Sequence, residues 1–187
     1  MKRNDTVAST ARVLTTRVLV EAGILIALAT ALSMVKVYQA PQGGSVTAGS
    51  MIPVLIIALR WGPRVGVLSG VAYGLLQCII EPYIVHPVQA VLDYPVAFGL
   101  LGLAGFFHRM PAAGVAAGIL GRFAAHVLSG LVFFASSTPE GSTALVYSLV
   151  YNGSYLIPEV LLSALVIHFL AVGRLLQRGR TRREAAE

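Results

Sequence analysis

Six apolar runs divide the sequence, each bounded by a short segment rich in polar residues, glycine or proline. They cover Arg17 to Tyr38, Gly49 to Leu59, Val65 to Ile80, Val88 to Phe107, Pro111 to Ala135 and Thr143 to Val172. A helix needs about 20 mostly apolar residues to cross the hydrocarbon of a bilayer. Five runs approach or exceed that length, and the second crosses only if Thr47 and Ala48 extend it. The pattern predicts an all-α integral membrane protein: a six-helix transmembrane bundle over residues 17–173, with an N-terminal arm at 1–16 and a basic tail at 174–187.

Composition removes the alternatives. Of 187 residues, 56% are apolar and 12% charged, where a soluble domain carries about a quarter charged. A water-soluble fold and a disordered chain are both excluded. Six spans leave no room for a soluble ATP-hydrolysing domain, and the two lysines, Lys2 and Lys36, do not follow a glycine. A phosphate-binding G-x-x-x-x-G-K-[ST] loop is therefore ruled out. A single cysteine, Cys78, rules out an internal disulfide and a cysteine-rich metal site. No cofactor or metal is expected. Lys2, Arg3 and Arg12 precede the first run, which opens on Arg17 and lacks a clean signal-cleavage end.

The net charge of +6 would suggest nucleic acid as the partner of a soluble protein. Here its placement matters more, and no nucleic acid is expected. Counting Arg17 at the start of span one, twelve of the fourteen Lys and Arg lie in or beside the N-terminal arm, after spans two and four, and in the tail. The loops 39–48, 81–87 and 136–142 contain none. The positive-inside rule then places both termini in the cytoplasm and requires an even number of spans.

Few charges remain within the spans. Lys36, at the outer end of span one, is expected to extend towards the interface. Glu21 follows Arg17 by one helical turn, the spacing of a surface ion pair. Asp93, Arg122 and Glu159 lie deeper, where an ionisable group must pair or line a cavity. Arg122 could neutralise either acid within a packed bundle. His126, Gly130 and Phe134 follow Arg122 at intervals of four on one helix face, and Ser148, Asn152, Tyr155 and Glu159 share a stripe on span six with Tyr147 at its edge. Tyr83, Asp93, Tyr94, His126, Phe134, Tyr147, Tyr151 and Asn152 all fall in the outer half of the bundle. Rings, one carboxylate and one amide at similar depth predict a pocket, open to the outside, for a small, flat, cationic ligand. On span one, Gly23, Ala27 and Ala31 make a face of small residues, suited to close packing inside the bundle or to docking of another protein.

Several of these segments resemble the thiamine-specific substrate-binding component of energy-coupling-factor transporters. The resemblance is carried by Pro41-Gln-Gly-Gly-Ser-Val46, Gly49-Ser-Met-Ile-Pro53, Ala58-Leu-Arg-Trp-Gly-Pro-Arg64, Glu81-Pro-Tyr-Ile-Val-His-Pro-Val-Gln89, Leu92-Asp-Tyr-Pro95 and Tyr147-Ser-Leu-Val-Tyr-Asn-Gly153. It implies a six-helix bundle in a prokaryotic plasma membrane that binds thiamine from outside and works with a membrane scaffold subunit and two cytoplasmic ATPases. Asp93 would face the thiazolium, with Tyr83, His126, Tyr147 and Asn152 at other pocket positions. Phe134 stands where some members carry tryptophan, and Asp93 where some carry glutamate. The loop 39–48, with Gln-Gly-Gly-Ser where some members have tryptophan and glutamate, would close over the ligand. The resemblance assigns the Gly23 and Ala27 face to scaffold docking. A component for another vitamin or a thiamine precursor is the nearest alternative. A membrane-embedded enzyme is a more distant one, since G-x-S-x-G and H-E-x-x-H motifs are absent. A self-contained channel or proton-coupled transporter finds no inverted repeat in its favour.

Overall fold

The computed structural model describes residues 14–184, with side chains through residue 170. Lys2, Arg3 and Arg12, and the side chains of the basic tail, lie outside the described residues. The chain is an integral membrane helical protein. Five helices are long and apolar enough to cross a bilayer, and many of their large side chains, such as Ile24, Ile79, Phe106 and Leu161, point outward.

Helix α1 (Thr16–Ser33) is capped by Thr15, whose hydroxyl accepts from the Val18 amide at 3.4 Å. It ends five residues earlier than the apolar run suggested. Strand β1 (Lys36–Gln39) leaves the helix and pairs antiparallel with β2 (Ser45–Thr47). Val37 and Tyr38 suit a strand as well as a membrane helix. Gly43 supplies the positive φ of 88° that the turn between the strands needs. The expected loop at 39–48 thus forms the turn and second strand of a β-hairpin. Lys36 forms an ion pair with Glu81 at 2.8 Å, so it is tied to the next loop at this end of the bundle.

Helix α2 (Met51–Trp61) has 11 residues and would span about 16 Å at 1.5 Å per residue. Its Met51, Val54, Leu55, Ile57 and Ala58 are fully buried, so it forms the centre of the core. Gly62, at a φ of 88°, turns the chain directly into α3 (Pro63–Ile80). Helix α4 (Pro87–Phe107) is irregular: α-helical at Pro87–Val91, π-helical at Leu92–Val96 and 3-10 helical at Leu100–Phe107. Helix α5 covers Pro111–Phe133 and α6 Ala144–Glu184. The backbone of α6 continues as helix past the expected end at Val172.

Glycine lets α3 and α4 meet closely. Gly66, Gly70 and Gly74 of α3 lie one turn apart and face α4, where Gly102 approaches Gly66. A Cβ on Gly74 would stand 2.5 Å from the Tyr94 carbonyl oxygen and 3.0 Å from Pro95 Cα. A Cβ on Gly70 would collide with the Phe98 carbonyl. Small residues at this spacing let two backbones meet in lipid, where packing rather than water expulsion holds helices together.

The small-residue face of α1 is used differently. Gly23, Ala27 and Ala31 are exposed, and nothing lies within 4 Å of a Cβ built on Gly23. Val18, Ala22, Ala29 and Ser33 face the core instead, so packing of the Gly23 face inside the bundle is overturned. Glu21 pairs at 3.0 Å with Arg60 at the end of α2 rather than with Arg17.

Candidate functional site

Asp93 owes its position to the π-helical turn. Pro95 has no amide to donate back to Val91, and its ring would crowd that carbonyl in a regular helix. A wider turn accommodates it, a distortion that often accompanies functional residues. The Gly74 contact holds the same turn from behind.

The Asp93 carboxylate is held by three donors. Gln89 Nε2 donates to Oδ2 at 2.6 Å, Ser129 Oγ donates to Oδ2 at 2.9 Å, and His126 Nδ1 meets Oδ1 at 2.9 Å. Gln89 also donates to the Tyr83 carbonyl and accepts from the Val85 amide, which couples the carboxylate to the loop before α4. Composition gave no hint of Gln89 or Ser129 because neither carries charge. Their positions did: Gln89 is one turn before Asp93, and Ser129 lies beside the His126–Gly130 face.

Arg122 neutralises neither acid. Its Nε donates to His126 Nε2 at 3.1 Å, and its guanidinium lies 4.0 Å from the centre of the Phe98 ring. Glu159 accepts from the Thr47 amide at 2.6 Å and from the Thr47 hydroxyl at 2.7 Å. It therefore fastens the base of the hairpin to α6. Tyr151, two turns earlier, fastens the tip: its hydroxyl accepts from the amides of Gln42 and Gly44 at 3.1 and 3.2 Å. The hairpin is closed over a cavity between α3, α4, α5 and α6.

All eight residues singled out as a pocket line this cavity: Tyr83, Asp93, Tyr94, His126, Gly130, Phe134, Tyr147 and Asn152. Their parts differ. Tyr83 and Phe134 stack with centroids 6.1 Å apart and planes 25° from parallel. Asn152 donates to the Ser148 carbonyl, and its oxygen accepts from the Tyr155 hydroxyl at 2.6 Å. Tyr94 bridges the Glu81 carbonyl and the Tyr83 amide through its hydroxyl, so it braces the rim. Gly130 allows α6 to come close, since a Cβ there would collide with Ser148 Oγ. The turn residues Gln42, Gly43 and Gly44 form the roof, and Gln77, Gln89, Arg122 and Tyr155 belong to the wall as well. Among the described residues, no group of three or more His, Cys, Asp or Glu is arranged to hold a metal ion.

The arrangement has the chemistry to receive a small, flat cation. One partly buried carboxylate can supply charge, several rings can supply faces, and the Asn152 amide and a phenol carry directional hydrogen-bonding groups. Residues 19–177 match the family model described as Thiamine transporter protein (Thia_YuaJ). The chain is 38% identical over 180 residues to the thiamine transporter ThiT of Bacillus subtilis (strain 168), covering 85% of this chain and 93% of that one. It is 30% identical over 173 residues to ThiT of Lacticaseibacillus paracasei, covering 82% and 86%. The solved structure of ThiT from Listeria monocytogenes superposes with a TM-score of 0.75 at 26% identity, over 82% of this chain and 92% of the other.

Proposed function

The chain belongs to the thiamine transporter protein family, and on that premise we propose that it binds thiamine beneath the hairpin for uptake, as the substrate-binding component of an energy-coupling-factor transporter. The observation that carries the site assignment is the Asp93 carboxylate. It is partly buried in a membrane helix and ringed by neutral donors, and its one ion-pair partner among the described residues is the titratable His126. A permanent cation such as thiazolium completes that charge pair. Tyr83 and Phe134 offer stacking faces, while Tyr147 and Asn152 orient the ligand by hydrogen bonds. A neutral analogue would leave the carboxylate without a permanent countercharge, which is the basis of selectivity.

The bundle counts six spans, with α2 as a short sixth, over residues 17–173. Both termini lie in the cytoplasm of a prokaryote, the arm 1–16 and the tail 174–187 with them. The segregation of basic residues supports this orientation. Under it, the hairpin and cavity face outward. The sequence has no phosphate-binding loop, so release inward is driven by a membrane scaffold subunit and two cytoplasmic ATPases. No cofactor takes part. The exposed face of Gly23, Ala27 and Ala31 is the surface for the scaffold.

Thiamine added to the purified, detergent-solubilised protein without nucleotide binds saturably at one site per chain, as isothermal titration calorimetry would show. Absence of saturable binding overturns the proposal. Ala27→Trp places a large ring on the exposed face of α1. It abolishes thiamine uptake by cells expressing the full transporter and leaves binding to the purified protein unchanged. Uptake at the wild-type rate excludes this face as the scaffold surface.

A further inference from the structure

The hydrogen bonds around His126 run in one direction, and the geometry points to Arg122 as a positioning residue that holds the imidazole as its neutral Nδ1–H tautomer, leaving the Asp93 charge for the ligand. This inference rests on the reading of the cavity as a thiamine site. Guanidinium is a donor only and stays protonated in proteins. Its Nε reaches His126 Nε2 at 3.1 Å, so that nitrogen must present a lone pair. The ring proton then sits on Nδ1 and is donated to Asp93 Oδ1 at 2.9 Å.

An imidazolium would turn a second N–H against the guanidinium. It would also make Asp93 and His126 a complete ion pair, with no charge left for a cationic ligand. The Phe98 ring stabilises the guanidinium from the other side, 4.0 Å away. The groups facing the imidazole are Asp93 from α4, Arg122 from its own helix and Tyr155 from α6, whose ring stands edge-on at 6.1 Å. On the cavity rim, Glu81 is paired with Lys36.

Thiamine affinity is measured for the full-length wild type, R122Q and the double variant R122Q/H126Q between about pH 8 and about pH 5.5, the range that brackets imidazole protonation. Protonation of the ligand itself affects all three proteins and cancels in ratios. The Kd of R122Q relative to wild type rises about tenfold from the top to the bottom of that range, because His126 then takes a proton beside the cation. The ratio for the double variant stays flat. A flat ratio for R122Q overturns the assignment, whereas failure of the wild type to bind at any pH defeats the site reading instead. Nitrogen-15 NMR of histidine-labelled wild type gives an independent check that needs no variant. It shows His126 Nδ1 protonated and Nε2 bare; a protonated Nε2 overturns the proposal.

Discussion

Asp93→Asn weakens thiamine binding by at least about thirtyfold, the lower end of the about 2–5 kcal/mol expected when one partner of a desolvated charge pair is removed. The geometry makes asparagine a poor substitute even as a neutral isostere. Both carboxylate oxygens receive hydrogen bonds, Oδ2 from Gln89 and Ser129 and Oδ1 from His126. An amide retains one acceptor and turns its NH₂ group towards donors on the other side. Calorimetric titration reads the affinity, and thermal unfolding without ligand shows whether the fold is retained. Binding within about threefold of wild type, a difference of less than 1 kcal/mol, would remove Asp93 from the centre of recognition.

Gly74→Val is the second substitution with a large effect, and it acts through the backbone. A Cβ at this position meets the Tyr94 carbonyl oxygen at 2.5 Å and its carbon at 2.7 Å. Main-chain atoms cannot rotate away as a side chain can, so α3 must separate from the π-helical turn. Overpacking of this kind costs typically about 1–3 kcal/mol. Here the element displaced is the one that carries Asp93. A lower midpoint of thermal unfolding without ligand and a loss of thiamine affinity are both expected. Gly23→Val provides the contrast, since a Cβ there meets nothing within 4 Å and thiamine binding should be unaffected. Equal binding by the two variants would show that the α3–α4 contact does not position the site.

The sequence already contained the run lengths, the segregation of charge and the Arg122–His126–Gly130–Phe134 face. Each depends on one helix or on counting along the chain. What it concealed depends on contacts far apart in sequence or on departures from a regular helix. Val35 to Tyr38 continue an apolar run and read as helix, yet pairing with Ser45–Thr47 makes part of that segment a strand. The roles of Glu159 and Tyr151 became visible only when the hairpin reached α6, since their partners are more than a hundred residues away. Arg60 displaced Arg17 as the partner of Glu21 for the same reason. The Gly66, Gly70 and Gly74 repeat was legible by the rule that identified the Gly23 face. Spacing alone does not tell which of two such faces turns inward.

The three-donor hold on Asp93 also bears on the entropy of ligand capture. A free carboxylate must give up rotameric freedom when it meets a cation, and that loss is subtracted from affinity. Asp93 is already fixed by Gln89, Ser129 and His126, on a turn that presses against bare α3 backbone, so this wall of the cavity has been ordered by folding. The remaining ordering falls on the ligand and on the roof above it. The charge-recognising wall is therefore organised before the ligand arrives.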